Sequence, residues 1–426
     1  MFDKEVSRRA EVVLAELMLD EPVVAVHGPR SVGKSTLLRR VADTHNVSIV
    51  DLDDPEERDL AEASPNHAVS GQRPLCIDEY QHAPVLLDAL KARLNREGSI
   101  PGTAVLTGST RQDALPLTAQ ALTGRLFNMV LWPLSQGEID QNHENFLEWL
   151  ISDPDTAVAA HPRSATTRTE YAHRVCAGGF PMALSRSSTR SRDRWFDTYV
   201  RQSVERDASE LTRVRLRQLL YDIFMRLAGR TGQVLSINRI ADSLGASWDT
   251  VESHVRLLED LFLVARLPAW GKTLTARATG APKIHVVDSG LAARMMRVSP
   301  TRLASLDPTI ATEFGHLVET FVVGELRKQA SWLPNQASLG HWRTTNGPEV
   351  DVVVDVDDGP VVAFEIKTSE RVGGRDLSSL RLLRDQIGDR FKAGVVLAMG
   401  TRSFTYEDRL HVMPIDRLWR TISSTP

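Results

Sequence analysis

The fold is decided by the stretch EPVVAVHGPRSVGKSTLLRRVA at residues 21–42. Its apolar first part predicts a buried strand, and its last part predicts the start of a helix. Between them, Gly28, Gly33, Lys34 and Ser35 fit the phosphate-loop pattern G-x-x-x-x-G-K-[ST], in the strand–loop–helix context that the pattern requires. An ordinary glycine-rich turn is the alternative, but chance produces this pattern in roughly one or two of every hundred chains of this length. The stretch therefore predicts a nucleoside-triphosphate-binding α/β domain.

The chemistry of such a loop follows from its backbone. Successive N–H groups and a helix N-terminus form a concave cradle for anionic phosphates. Lys34 would reach the β- and γ-phosphates, and the Ser35 hydroxyl would hold Mg²⁺. We therefore expect ATP and Mg²⁺ as cofactors. The predicted nucleotide-binding residues are Gly28, Pro29, Arg30, Ser31, Val32, Gly33, Lys34, Ser35 and Thr36.

Length and composition narrow the class of protein. A chain of 426 residues is too long for one ordinary core, so two or three domains are expected. A net charge of −4 gives no global attraction to nucleic acid or anionic membrane, so such binding needs a local patch. Cys76 and Cys176 have no C-x-x-C partner, which excludes a disulfide framework or a zinc cluster and fits a reducing cytoplasm. No signal core and no apolar run of about 20 residues is visible, so we expect a cytoplasmic protein without a membrane anchor.

A second chemical signal lies in PLCIDEYQ at residues 74–81, a short apolar strand ending in Asp78 and Glu79. Asp78 would hold Mg²⁺ through water, and Glu79 would polarise the attacking water. An acidic strand end in a solvated loop is the alternative. Downstream of a phosphate loop, the functional interpretation is favoured.

Several segments together resemble one branch of the bacterial and archaeal AAA+ ATPases, in which the ATPase module is joined to a C-terminal domain of unknown function. They are GPRSVGKST, DLDDP, CIDEYQ, LTGS and TGR followed by WPLSQGE, and the resemblance covers nearly the whole chain. It implies a P-loop AAA+ parallel-sheet domain, with Ser109 positioning water beside the γ-phosphate. It also implies a homo-oligomer in which an arginine from a neighbouring subunit completes the site. Arg125 is the candidate for that arginine; a structural helix cap or a role within its own subunit are the alternatives.

The middle of the chain gives weaker signals. Residues 151–170 are small, polar and proline-containing, which predicts a linker or long loop. GGFP at 178–181 recurs in the same branch without an evident chemical role. The arginine-rich helix after it carries interspersed acids, which favours a solvated, salt-bridged face.

The segment from Arg217 to Leu267 predicts a winged-helix domain, with helices separated by a glycine turn and followed by strands. If this domain binds DNA, its third helix would enter the major groove. The alternative is a domain that contacts another protein. Acidic residues on that helix argue against DNA, whereas basic residues of the following hairpin favour it. The helix would expose Ser247, Trp248, Thr250, Ser253 and His254, and the basic residues are Lys272, Arg277 and Lys283.

The C-terminal part resembles the restriction-endonuclease-like, PD-(D/E)xK α/β core. Glu319 lies on an otherwise apolar helix, Asp351 lies on one strand, and Glu365 and Lys367 share one face of the next. The resemblance implies that Asp351 and Glu365 ligate Mg²⁺ and that Lys367 steadies the water or the scissile phosphate. Acids that simply face solvent are the alternative, and the same scaffold can bind nucleic acid without cutting it, so cleavage stays open.

These signals predict four parts and one principal function. The parts are an ATPase domain at 1–150, a linker and helical segment at 151–215, a winged-helix domain at 216–305 and a nuclease-like domain at 306–426. We expect ATP hydrolysis to gate or drive a DNA-directed C-terminal region. The alternative is an ATP-switched regulatory protein that binds a protein partner and has no nuclease activity. A helicase-like motor is less favoured because no second motor domain is visible.

Overall fold

A computed structural model describes residues 6–110, 122–161, 163–204, 217–271, 280–344 and 347–423. Within these ranges, three sheets are surrounded by helices. The strands are β1 Val23–His27, β2 Ile49–Asp51, β3 Leu75–Asp78, β4 Ala104–Gly108, β5 Leu126–Val130, β6 Gln233–Val234, β7 Val264–Leu267, β8 Lys283–Val286, β9 Ala337–Arg343, β10 Glu349–Val356, β11 Val361–Lys367, β12 Phe391–Ala398, β13 Phe404–Glu407 and β14 Leu410–Pro414. The helices are α1 Arg9–Asp20, α2 Lys34–His45, α3 Pro55–Ala63, α4 Pro65–Ala68, α5 Val85–Glu97, α6 Gln136–Asp140, α7 Phe146–Ser152, α8 Pro154–Ala159, α9 Arg168–Ala177, α10 Pro181–Leu184, α11 Thr189–Gln202, α12 Arg217–Ala228, α13 Ile237–Leu244, α14 Trp248–Asp260, α15 Ser289–Met295, α16 Pro300–Ala304, α17 Ala311–Ala330 and α18 Ser378–Ile387.

The first sheet is entirely parallel, in the order β2-β3-β4-β1-β5. Parallel sheets carry helices on both faces, which is why the strands are apolar throughout rather than alternating. Val24 and Val26 face one hydrophobic core, and Val23 and Ala25 face a second core on the other side. The predicted α/β P-loop fold is confirmed. The carboxyl ends of β1, β3 and β4 consequently lie at one edge of this sheet.

The middle part is more helical than its composition indicates. The prediction of a linker or long loop at 151–170 is wrong for α8, which begins where Asp153 accepts a hydrogen bond of 3.2 Å from the Thr156 N–H and Pro154 takes the first helical position. An N-cap aspartate followed by proline is a strong helix-start signal that the loop-like composition obscured.

Helices α12, α13 and α14 are followed by an antiparallel sheet of order β6-β8-β7. Trp248, at the start of α14, keeps 49 % of its surface exposed. Assignment of this unit as a winged helix stays a prediction. Lys272 and Arg277 lie outside the described residues.

The C-terminal part combines the long helix α17 with a mixed sheet of order β13-β14-β12-β11-β10-β9. One continuous hydrophobic core contains Leu37 of the first part, Leu258 of the middle and Val354 of the C-terminal sheet, so the three parts pack on one another. The predicted domain boundaries stay predictions. None of the helices in the described ranges is long and apolar enough to span a lipid bilayer.

Candidate nucleotide-binding site

The phosphate loop joins β1 to α2 and needs glycine at two positions. Gly28 has φ +154°, and a Cβ there would overlap the backbone carbonyl oxygen of Leu131. Gly33 has φ +101° and is the N-cap of α2. Both positions use backbone conformations that side chains with a Cβ rarely adopt. The glycines of the motif thus have a steric reason in this chain.

Lys34 lies inside the loop with only 4 % of its surface exposed. Its Nζ donates hydrogen bonds of 3.0 Å to the carbonyl oxygens of Gly28 and Pro29. The ammonium group is therefore held against the loop at the N-terminus of α2, where the helix dipole and the backbone N–H groups favour an anion.

Asp78 ends β3, on the same sheet edge as the loop. Its Oδ1 accepts hydrogen bonds from the Thr107 hydroxyl at the end of β4 and, at 3.1 Å, from the Glu79 N–H. The Ser35 hydroxyl and the Asp78 carboxylate are both oxygen donors, the kind of ligand that Mg²⁺ prefers. The donor set fits the predicted metal.

Glu79 is fixed by its neighbours in a left-handed conformation, with φ +50°. Its carboxylate accepts a hydrogen bond from Gln81 Nε2, which also donates to Ser109 Oγ at 3.2 Å. Burial alone would raise the pKa of Glu79, but Lys34, the hydrogen bond from Gln81 and the charge of Arg30 lower the pKa below its ordinary value. Glu79 is thus a carboxylate at neutral pH. Sequence reasoning missed Gln81, although its place two residues after Glu79 in CIDEYQ was the available signal.

Arg125 does not belong to this cluster within one chain. It precedes β5, whose first residue Leu126 pairs with Val23, the first residue of β1. Since the phosphate loop follows the other end of β1, Arg125 lies at the opposite edge of the sheet, about 16 Å away along a five-residue strand. Its Nη1 donates to Asn95 Oδ1 at 2.6 Å. Arg125 therefore cannot complete the nucleotide-binding site of its own subunit. Its role in the site of a neighbouring subunit stays a prediction.

Arg8 holds the loop from behind, a role that sequence reasoning missed. Its guanidinium donates 2.8 Å to the carbonyl of Val32, 2.7 Å to the carbonyl of Trp132 and 3.0 Å to Glu138 Oε1. The side chain of Glu138 is only 1 % exposed, and its Oε2 accepts the Ser135 N–H at 2.9 Å. Ser135 and Glu138 of WPLSQGE form a capping box at the start of α6, which was the available signal.

A cavity of about 440 Å³ opens beside the loop. Its lining includes Val32 and Thr36 of the ATPase part, together with Pro181 and Met182. Pro181 belongs to GGFP, and the segment is held in place because Gly179 accepts the Leu134 N–H at 2.8 Å and donates to Asp288 Oδ2 at 2.6 Å. The GGFP segment therefore forms a wall of the cavity beside the phosphate loop.

The four predicted residues of the nuclease-like site do come together. Asp351 Oδ2 accepts the Ile366 N–H at 2.9 Å, and Lys367 Nζ donates to Glu365 Oε1 at 2.6 Å. Burial and the neighbouring Asp351 raise the pKa of Glu319 and that of Glu365 above their ordinary values, while the ammonium groups of Lys283 and Lys367 oppose the rise. The strand and helix positions read from the sequence thus converge on one acidic cluster.

The same cluster contains a lysine that the sequence had suggested for DNA phosphates. Lys283 is 3 % exposed, and its Nζ lies 2.8 Å from Glu319 Oε1, 3.2 Å from Asp351 Oδ1 and 2.5 Å from Glu349 Oε1. The expectation that Lys283 contacts phosphates is therefore wrong, because its ammonium is enclosed by carboxylates. A divalent metal does not fit this donor set while the ammonium occupies its centre.

Three family models match successive parts of the chain. Residues 20–140 match the AAA domain, residues 168–302 a domain of unknown function (DUF8612) and residues 314–418 a domain of unknown function (DUF4143). The first part is thus a P-loop NTPase domain of the AAA type, followed by a separate C-terminal mixed-sheet domain.

Curated relatives match over most of their length. Two of them, the uncharacterized proteins Mb2031c of Mycobacterium bovis and Rv2008c of Mycobacterium tuberculosis, are each 26 % identical over 97 % of this chain and 85 % of their own. Among solved structures, the Walker-type ATPase PABY2304 of Pyrococcus abyssi is 15 % identical, covering 70 % of this chain and 96 % of its own, with a TM-score of 0.42. AMPPCP-bound DnaA of Aquifex aeolicus is 13 % identical, covering 61 % of this chain and 91 % of its own, with a TM-score of 0.29.

Proposed function

We propose that this chain binds ATP with Mg²⁺ and hydrolyses it to ADP and phosphate. The observation that carries the proposal is the meeting of Lys34, Asp78, Glu79 and Ser109 at one edge of the parallel sheet, with Glu79 held as a carboxylate. The experiment is to measure phosphate release from ATP by the purified full-length chain with Mg²⁺. A rate that does not exceed that of ATP in buffer would contradict the proposal.

Each residue has a role that its position supports. Lys34 binds the β- and γ-phosphates, leaving its carbonyl partners when the anion enters the loop. Ser35 and Asp78 would hold Mg²⁺, which when bound would supply positive charge against the phosphates. Asp78 would approach Mg²⁺ with Oδ2, since Oδ1 accepts the hydrogen bonds from the Glu79 N–H and the Thr107 hydroxyl. Glu79 accepts a proton from the attacking water, and Ser109 orients that water together with Gln81.

The base and ribose of ATP fit the cavity beside the loop. Its volume of about 440 Å³ is within the range of pockets that bind small molecules. Val32 and Leu37 offer apolar contacts from one side, and Met182 offers one from the other. ATP in this position would contact the ATPase part and the GGFP segment at once, so its binding would favour one arrangement of the two parts.

The position of Arg125 favours a homo-oligomer. It lies at the sheet edge opposite the phosphate loop of its own chain and cannot reach the γ-phosphate there. An arginine supplied by a neighbouring subunit stabilises transition-state charge in other phosphoryl-transfer enzymes. We therefore assign Arg125 to the site of an adjacent subunit in a cytoplasmic assembly.

Replacing Arg8 by alanine should weaken nucleotide binding about tenfold. The change removes the hydrogen bond to Val32 of the phosphate loop and the two that hold Arg8 against Trp132 and Glu138, and it leaves Glu138 buried without its cation. Hydrogen bonds to charged groups typically contribute about 1.5–3 kcal/mol each. Titration with a fluorescent ATP analogue measures the dissociation constant, and thermal unfolding reports whether the variant still folds. Arg96→Ala, at an exposed position of α5, is the matched control. If Arg8→Ala folds and binds the nucleotide as tightly as the control, Arg8 does not position the phosphate loop.

We propose further that ATP turnover acts on a DNA-directed C-terminal region through the winged-helix-like unit. Trp248 is exposed at the start of α14, the helix that would approach DNA. The alternative is an ATP-switched protein that contacts a protein partner. It is supported by the acidic character of α14 and by the burial of Lys283, which removes one of the three predicted phosphate contacts.

Duplex DNA should therefore stimulate ATP hydrolysis at low ionic strength by about fivefold or more, the low end of usual coupling between sites. Low salt is chosen because contacts to phosphates weaken steeply as salt rises. Trp248→Ala should reduce the stimulation, whereas Leu306→Ala, at another exposed apolar residue, should not. An ATPase rate indifferent to DNA would favour the protein-partner alternative.

A further inference from the structure

A buried ammonium group lies where the nuclease-like cluster would need its metal ion. Lys283 belongs to β8 of the three-stranded sheet, whereas the carboxylates around its Nζ come from α17 and β10 of the C-terminal part. Three carboxylate oxygens lie between 2.5 and 3.2 Å from Nζ. The lysine is thus coordinated by acids in the manner of a bound cation.

Most of the oxygens that a metal would need already have partners, and Glu365 Oε2 is the one that is buried without a hydrogen bond. Asp351 uses Oδ1 for Lys283 and Oδ2 for the Ile366 N–H, and Glu365 Oε1 accepts from Lys367. Among the described residues, no group of three or more His, Cys, Asp or Glu side chains is arranged to hold a metal ion. A hard divalent cation needs several such oxygens at once, and it would be repelled by an ammonium at their centre.

The cluster also lies on the contact between two parts of the chain. Nearby, Thr231 and Thr320 hydroxyls are 2.7 Å apart, and Trp270 Nε1 donates to Asp355 Oδ2 at 2.9 Å. These bonds also join the middle of the chain to α17 and β10. Removing a buried cation from its acids is strongly destabilising, so such a cluster specifies how the two parts fit together.

We propose that Lys283 is a built-in cation that takes the place of a divalent metal ion, so that this cluster is a joint between the three-stranded sheet and the C-terminal domain rather than a metal-dependent nuclease site. The fold-family resemblance implies Mg²⁺ on Asp351 and Glu365; the donor set here contradicts it. The C-terminal domain then contributes to function through its packing and its surface.

The test is a Mn²⁺ titration of the full-length chain, followed by electron paramagnetic resonance without nucleotide. All proteins carry Asp78→Asn, so that the ATPase site contributes no metal binding. We expect no stoichiometric site in this parent protein. Lys283→Met keeps an unbranched side chain, one heavy atom shorter, and removes the charge. It should bind Mn²⁺ at least about tenfold more tightly than the parent protein does, equivalent to about 1.4 kcal/mol. Adding Asp351→Asn should abolish that tighter binding.

Matched variants keep the proposal open to refutation. Lys283→Arg retains a cation and should bind no Mn²⁺, and Lys392→Met, a lysine of β12 outside the cluster, should behave like the parent. The proposal is overturned if the parent binds one Mn²⁺ and Asp351→Asn removes it, a comparison that does not require the Lys283 variants to fold. It is also overturned if folded Lys283→Met gains no site. Because no nucleotide is used, either result is independent of the ATPase proposal.

Discussion

Lys34→Ala is expected to lower the rate of phosphate release from ATP by about 100- to 1,000-fold, the cost of removing one preorganised charge from a transition state. The side chain is 4 % exposed and its ammonium lies against the loop carbonyls of Gly28 and Pro29, where the phosphates would enter. Nucleotide binding should weaken as well, because the positive charge meets the phosphates in the ground state and in the transition state. Phosphate release at saturating ATP and a binding titration separate the two effects.

The same variant should shift the pH dependence of whatever rate remains. Lys34 is a principal cause of the lowered pKa of Glu79. Without it, burial raises that pKa, so Glu79 takes up its proton at higher pH and the acidic limb of the residual rate moves upward. Lys91→Ala, at an exposed position of α5, should change neither the rate nor its pH profile. If Lys34→Ala releases phosphate at the wild-type rate, the assignment of the ATP-hydrolysis site to this loop is wrong.

Local sequence patterns were sufficient to predict the candidate site residues that lie at the carboxyl ends of neighbouring parallel strands. The phosphate loop, Asp78-Glu79 and Ser109 each follow a short apolar run, and parallel strands bring such ends to one edge. The steric need for Gly28 is different, since it depends on Leu131, which passes beside the loop about a hundred positions later in the chain. The phosphate-loop motif can therefore be recognised in the sequence although the tertiary contact that requires its first glycine cannot.

Contacts between distant segments account for what sequence reasoning missed. Arg8 and Glu138 are 130 positions apart, and although Glu138 has the local pattern of a capping box, no local pattern indicates that Arg8 contacts it. Lys283 was read as a basic hairpin residue, because no local signal shows that α17 and β10 enclose it with acids. Burial of a charge is decided by the partners that tertiary packing brings to it.

Glu79→Gln is expected to separate binding from hydrolysis. The amide keeps the size of the side chain and can still accept the hydrogen bond from Gln81, but it cannot take a proton from water. ATP affinity should therefore remain within about threefold of wild type, while turnover falls by about 100-fold or more, the usual contribution of a positioned general base. Phosphate release and a binding titration on the same preparation measure both quantities, with Glu16→Gln on exposed α1 as the control.

The pH dependence distinguishes a general base from a merely structural carboxylate. The pKa of Glu79 lies below the ordinary value of 4.5, because Lys34, Gln81 and Arg30 outweigh its burial. The midpoint of the loss of wild-type turnover that comes from protonation of Glu79 should therefore lie below pH 4.5. In Glu79→Gln this acidic limb should disappear from the residual rate. If the variant kept both the wild-type rate and the acidic limb, water would have to be activated by another group, and Asp78, the remaining carboxylate at the end of β3, would be the next residue to replace.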